Sequence, residues 1–172
     1  MEGAWPEPVE RVSSFLRESG AEARIHEFPD GTPTARDAAA AVGCDLEQIV
    51  KSLVLICDEH PVVALVPGDR RGDPGKVARA LDASSARVAT ADEVVEATGF
   101  APGAVAPFPL PKVNAVLMHR DLYRHQIVWA GAGSDRHMLG ISPNELGRLS
   151  RARPMDVVAE RPYDSSSRPK ES

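Results

Sequence analysis

Residues 49–66 read Ile49-Val50-Lys51-Ser52-Leu53-Val54-Leu55-Ile56-Cys57-Asp58-Glu59-His60-Pro61-Val62-Val63-Ala64-Leu65-Val66. Val50 to Cys57 and Val62 to Val66 are rich in β-branched and aliphatic residues, which predicts two strands. Asp58-Glu59-His60-Pro61 between them predicts the turn of a hairpin. Residues 49, 51, 53, 55 and 57 share one face of the first strand. That face carries Ile49, Leu53, Leu55 and Cys57, and the other carries Val50, Ser52, Val54 and Ile56, so burial on both sides is expected. Lys51 breaks the pattern. An ammonium amid apolar neighbours must reach water, find a partner or serve a site. Two uses stay open: a strand-end lysine snorkelling to solvent, or a fixed positive charge beside a phosphate or a developing oxyanion.

Upstream of the hairpin, Val9, Val12, Phe15 and Leu16 recur at helical spacing, predicting a helix over 8–19 that stops at Gly20. A strand is expected at 23–28. Thr34 caps a helix over 35–42 that ends at Gly43, and Asp45 can cap one more turn. Downstream, a helix is expected over 76–81. Thr90-Ala91-Asp92-Glu93 fits a capping box for a helix stopping at Gly99. Strands are expected at 113–118, 127–130 and 138–141, with Gly131-Ala132-Gly133-Ser134-Asp135 as the turn between the last two. Ser142-Pro143-Asn144-Glu145 opens a helix to Leu149. A last strand, 155–158, precedes a polar tail from Arg161 expected to be disordered. Hairpin-length links and both element types predict an α+β fold: one domain over 1–160, with a mixed, largely antiparallel twisted sheet surrounded by helices.

A chain of 172 residues with 42% hydrophobic and 26% charged residues fits one ordinary globular core. The net charge of −5 argues against coating a long duplex, where affinity comes from neutralising many phosphates. It leaves room for gripping one end of a nucleic acid. Cys44 and Cys57 lie in apolar runs without a CxxC, and no stretch is long enough for a membrane span, so a cytoplasmic protein is expected.

Familiar cofactor motifs fail. Gly75-Lys76 lacks the glycine and hydroxyl of a phosphate-binding loop, having Arg70 and Val77 at those places. Gly131-Ala132-Gly133 lacks the third glycine of a dinucleotide fingerprint. The histidines have no zinc-type spacing. No cofactor and no metal are expected. Residues 99–111, Gly-Phe-Ala-Pro-Gly-Ala-Val-Ala-Pro-Phe-Pro-Leu-Pro, show neither a helical nor a strand period. Such a segment is either a rigid surface connection or a stiffened wall whose glycine amides face a ligand.

Four ordered segments, Ile-Val-Lys-Ser-Leu-Val-Leu (49–55), Pro-Val-Val-Ala-Leu-Val-Pro-Gly-Asp (61–69), Thr-Gly-Phe-Ala-Pro-Gly-Ala-Val-Ala-Pro (98–107) and Ala-Gly-Ala-Gly (130–133), closely resemble the YbaK/EbsC family. That family is related to the editing domain of bacterial prolyl-tRNA synthetases, and the resemblance covers roughly residues 24–158. It implies a hydrolase of translation fidelity, an aminoacyl-tRNA deacylase acting in trans on proline tRNA carrying cysteine or alanine. It implies Lys51 as the catalytic residue, holding the terminal phosphate or the carbonyl side of the ester. It further implies Gly103, Ala104, Val105, Ala106 and Pro107 as the wall of the amino-acid pocket, with Gly131 and Gly133 approaching it. Ser52 would tune the accepted amino acid. His137 either contacts substrate or is a core or surface histidine. Arg70, Arg71, Arg79 and Lys112 either form a basic rim for the tRNA acceptor end or are ordinary solvated surface. The implied partners are that acceptor end and a synthetase such as prolyl-tRNA synthetase, with no membrane. A non-catalytic tRNA- or synthetase-binding module of the same fold is the alternative.

Overall fold

The structure, a computed structural model, describes residues 5–161. Its elements are α1 (Glu7–Ser19), β1 (Arg24–Glu27), α2 (Ala35–Val42), β2 (Ile49–Cys57), β3 (His60–Pro67), α3 (Pro74–Ala80), β4 (Ala86–Val88), α4 (Ala91–Thr98), β5 (Ala115–His119), β6 (Val128–Ser134), β7 (His137–Ile141), α5 (Pro143–Ser150) and β8 (Arg153–Met155), with 3₁₀ turns at Leu46–Gln48 and Arg120–Arg124. One sheet runs in the order β1-β7-β6-β2-β3-β5-β8, and β4 pairs with the far end of β2. Four pairings are antiparallel (β1–β7, β2–β3, β2–β4, β6–β7) and three are parallel (β2–β6, β3–β5, β5–β8). The expected mixed, largely antiparallel sheet is therefore present, as a single layer through the whole described chain.

The hairpin is tighter than its sequence implies. Cys57 pairs with His60, so only Asp58 and Glu59 form the loop. Both have positive φ, 47° and 74°, as a two-residue turn matched to strand twist requires. His60 and Pro61 are strand residues. The left-handed conformation costs an L-residue roughly 1–2 kcal/mol and costs glycine nothing. Glu59→Gly is therefore expected to stabilise the protein by about 1 kcal/mol, read as a higher urea midpoint with unchanged slope. Asp58 stays useful, because its carboxylate accepts the Ser84 and Ser85 amides at 2.8 and 3.0 Å.

The two faces of β2 meet different covers. Val50 and Val54 join the larger core with Phe100, Phe108, Leu65, Met118 and residues of α1 and α5. On the opposite face Ile49 packs under α2 with Ala38, Ala39 and Met138. Further along that face, Leu55 and Cys57 pack with Val77 of α3, Val157 and Val158. Lys51 stands between these two patches, in the gap between α2 and α3. The gap is what lets a lysine occupy a strand whose neighbours are buried.

Capping follows the sequence closely. Thr34 Oγ1 accepts the Asp37 amide at the start of α2, and Thr90 and Glu93 make both bonds of a capping box. Ser142 accepts the Glu145 amide, but the Glu145 carboxylate turns to Arg148 instead of back to the cap. Two expectations need correction. Gly131-Ala132-Gly133 is not a turn: β6 continues to Ser134 through a register shift, leaving Asp135-Arg136 as the turn. The last strand ends at Met155, and Val158 makes only an isolated bridge with Gly72. The short strand β4 carries too few residues to show a period. Arg161, where the polar tail is expected to begin, pairs its guanidinium with Asp69 at 2.8 Å; the rest of the expected tail lies outside the described residues.

Candidate functional site

The parallel strands β2 and β6 stay together for only two pairs, Ile49–Trp129 and Val50–Ala130, and then separate. The segment around Gly103–Val105 approaches this opening, and a Cβ on Gly131 would stand 3.5 Å from the Val105 carbonyl oxygen. A cavity of about 290 Å³ forms there. Lys51, Ser52, Gly103, Val105, Gly131 and His137 all line it. Six of the ten residues expected from the sequence thus converge on one space.

The proline-rich segment is not a surface connection. Phe100 and Phe108 are fully buried, Ala104, Val105 and Ala106 are buried, and Phe108 stacks on Phe15 with ring centroids 5.0 Å apart. Gly103 has φ 82° with open space where a Cβ would stand, so it lines the cavity as bare backbone. The Ala104 amide donates to Ala101 O at 2.9 Å. The amides of Val105 and Ala106 have no protein acceptor among the described residues. Of the two, only Val105 lines the cavity; Ala106 is fully buried away from its wall.

Lys51 Nζ donates to the Arg70 carbonyl at 2.6 Å. Burial pulls its pKa below the ordinary lysine value; nearby Asp69 opposes the shift and Arg71 adds to it. Ser52 Oγ is buried without a hydrogen-bond partner among the described residues, a second polar group at the cavity awaiting one. His137 is nearly fully buried. Its Nδ1 lies 2.6 Å from Ser134 Oγ, which already accepts the Arg136 amide. Its Nε2 lies 3.4 Å from Glu27 Oε2 without a hydrogen-bond partner among the described residues. Trp5 packs edge-on against the ring at 5.4 Å.

Four expected residues stand elsewhere. Ala104 and Ala106 face the core, and Pro107 lines a groove with Phe108 and Leu110 on another surface. A Cβ on Gly133 would stand 2.9 Å from the Pro8 backbone, so that glycine serves the close approach of α1 to β6. Of the basic rim, Arg70 and Arg71 flank Lys51, whereas Lys112 lines a different cavity. That one is larger, about 880 Å³, at the far end of the hairpin. Its Arg87 and Glu93 already satisfy each other bidentately at 2.7 and 2.8 Å, which makes it the poorer candidate. Sequence inspection missed Thr32, Pro33, Thr34, Ser134, Asp135 and Met138 on the cavity wall. Thr32 arrives through its amide and hydroxyl, both bonded to the Asp135 carbonyl, a contact across 103 residues that no local pattern announces.

A family model described as an aminoacyl-tRNA editing domain matches residues 30–149. The chain is 30% identical over 143 residues to the uncharacterized protein YwhH of Bacillus subtilis, covering 83% of this chain and 90% of that one. It is 34% identical over 125 residues to the proline–tRNA ligase of Streptococcus gordonii, covering 72% of this chain and 20% of the ligase. A Geobacter proline–tRNA ligase is 30% identical over 143 residues, with 83% and 22% covered. The chain thus spans about a fifth of the ligases it matches. Among solved structures it is similar to that of a proposed trans-editing enzyme for prolyl tRNA synthetase, with TM-score 0.83 and 35% identity over 91% of this chain and 100% of that one. Hypothetical protein APE2540 superposes with TM-score 0.81 at 29% identity, over 87% and 99%. By sequence and fold, the chain belongs to the aminoacyl-tRNA editing domain family.

Proposed function

We propose that this protein is a deacylase acting in trans: it hydrolyses the ester that joins a wrong amino acid to the end of a tRNA, with alanine or cysteine on proline tRNA as the expected clients. The observation that carries this is the convergence of one cation, one unpartnered hydroxyl and the Gly103 and Val105 wall residues on a single cavity. At about 290 Å³ the space is at the small end of ligand sites, which suits a small aminoacyl group with its adenosine lying outside. A synthetase pocket cannot strongly reject an amino acid differing by one methylene, worth only ~1–3 kcal/mol, so a second hydrolytic site corrects the error.

The chemistry asks little of the protein. An aminoacyl ester is activated already, and the neighbouring ribose hydroxyl can help place water. The Val105 amide would donate to the carbonyl oxygen as it becomes an oxyanion, and Lys51 would hold the terminal phosphate or the carbonyl side. Ser52 and His137 would contact the amino-acid moiety. No step in this scheme calls for a metal.

The test is a panel of proline tRNA charged with alanine, cysteine or proline, together with serine- and threonine-charged tRNAs. Hydrolysis of alanyl- or cysteinyl-proline tRNA well above the spontaneous rate, with prolyl-tRNA spared, is expected. Binding of these tRNAs without hydrolysis of any would replace the enzyme with a binding module.

A further inference from the structure

Residues after β8 cross the loop that carries the Arg70 carbonyl. Val157 and Val158 anchor the crossing by full burial beside Val77 and Leu117. The Asp73 amide donates to Val157 O at 2.9 Å, and the Ala159 amide donates to Arg71 O at 2.7 Å. Val158 bridges Gly72. The Arg70 guanidinium donates to Ala159 O at 2.8 Å, and Arg161 pairs with Asp69 at 2.8 Å. Lys76 of α3 ties both Asp156 and Glu160, at 3.0 and 2.9 Å. Every residue from Asp69 to Asp73 is therefore held by the segment 156–161.

The other side of the loop is equally constrained. A Cβ on Gly68 would stand 2.6 Å from the Leu46 carbonyl, and one on Gly72 would stand 2.4 Å from Leu53 Cδ2. The loop is seated against β2 and clamped from outside, with the Arg70 carbonyl on the Lys51 ammonium. An ammonium has three donors. One is spent on this carbonyl, and its direction sets where the other two point.

We propose that residues 156–161 are a positioning strap for Lys51, holding the Gly68–Asp73 loop so that the Arg70 carbonyl fixes the ammonium with its remaining donors toward the cavity. The proposal rests on Lys51 serving that cavity. It accounts for a feature the site alone leaves unexplained: a flexible four-carbon side chain held at a single place between two helices. The strap also tempers the charge around Lys51, because Arg161 partly neutralises Asp69, the carboxylate that pulls on it.

The full chain carries four lysines, at 51, 76, 112 and 170, so lysine labelled with ¹³C at Cε gives few enough signals to follow Lys51 by NMR titration. Arg70→Met removes the bond to Ala159 O while keeping the Arg70 carbonyl. Arg161→Ala removes an exposed side chain and leaves the buried anchors in place. In both variants the Lys51 signal is expected to move and its titration midpoint to rise toward an ordinary lysine, with Lys112 unmoved. The rise follows because loosening the loop admits water, and freeing Asp69 strengthens its pull. In the deacylation assay, kcat is expected to fall on the order of tenfold with KM nearly constant, as misplacement of a site group costs rate. A Lys51 signal and midpoint unchanged in both variants, even with lowered thermal stability, would make the segment a structural clamp and overturn the proposal. Protein that hydrolyses none of the charged tRNAs but shows the Lys51 shifts would keep the strap and remove the deacylase reading.

Discussion

Lys51→Ala is expected to lower the rate of deacylation by about 10²–10³-fold, the usual loss when one donor to a developing oxyanion or its adjoining phosphate is removed. The fold should survive. The Lys51 side chain is exposed at the rim and bonds only one carbonyl, so the urea midpoint is expected to move little. Lys51→Arg should not restore full activity, because a planar guanidinium cannot reproduce a compact ammonium seated on the Arg70 carbonyl. The pH profile carries a sign as well. Burial lowers the Lys51 pKa, so the lysine-dependent part of the rate, after subtraction of spontaneous ester hydrolysis, should fade at a pH below that of an ordinary lysine. Unchanged turnover in Lys51→Ala would remove this residue from the mechanism.

Phe108→Ala is expected to give the largest loss of stability, about 3–5 kcal/mol, as for other buried phenylalanines. The ring is 1% exposed, stacks on Phe15 of α1, and lies one residue beyond the wall segment. At ~2–4 °C per kcal/mol for a chain of this size, the melting temperature should fall by roughly 6–20 °C. The consequence for the site is specific: losing the ring releases the segment that carries Gly103 and Val105 on the cavity wall. Activity per folded molecule, measured well below the melting point, should therefore fall too. Phe108→Leu, which keeps much of the volume, should recover most of both. A loss under about 1 kcal/mol would mean that the wall is held by something other than this ring.

These expectations draw on different amounts of sequence. The hairpin, the caps at Thr34, Thr90 and Ser142, and the stops at Gly20, Gly43 and Gly99 are local signals, and each reappears in the structure. The errors are local too. Asp58-Glu59-His60-Pro61 gave no sign that the turn uses only its first two residues, because glutamate at positive φ runs against propensity. Gly131-Ala132-Gly133 looked like a turn because small residues dominate it. In the sheet Gly133 is small for packing, since a Cβ there would stand 2.9 Å from the Pro8 backbone, whereas one on Gly131 would make only ordinary contact with the Val105 carbonyl.

Alternation along one strand marks Lys51 as out of place, and the order of four segments points to the family. Both are properties of adjacent residues, where side-chain direction follows from strand period and chain order. Which of the expected residues share a cavity was decided by the tertiary structure alone. The cavity exists because β2 and β6 separate after two pairs and a segment 50 residues downstream of β2 enters the opening. Ala104 and Ala106 turn to the core while Val105, between them, keeps its place on the wall. The Arg70 carbonyl reaches Lys51 only because the chain's last described residues lie across that loop. Contacts over such separations depend on how whole elements pack, and no local pattern of the sequence encodes them.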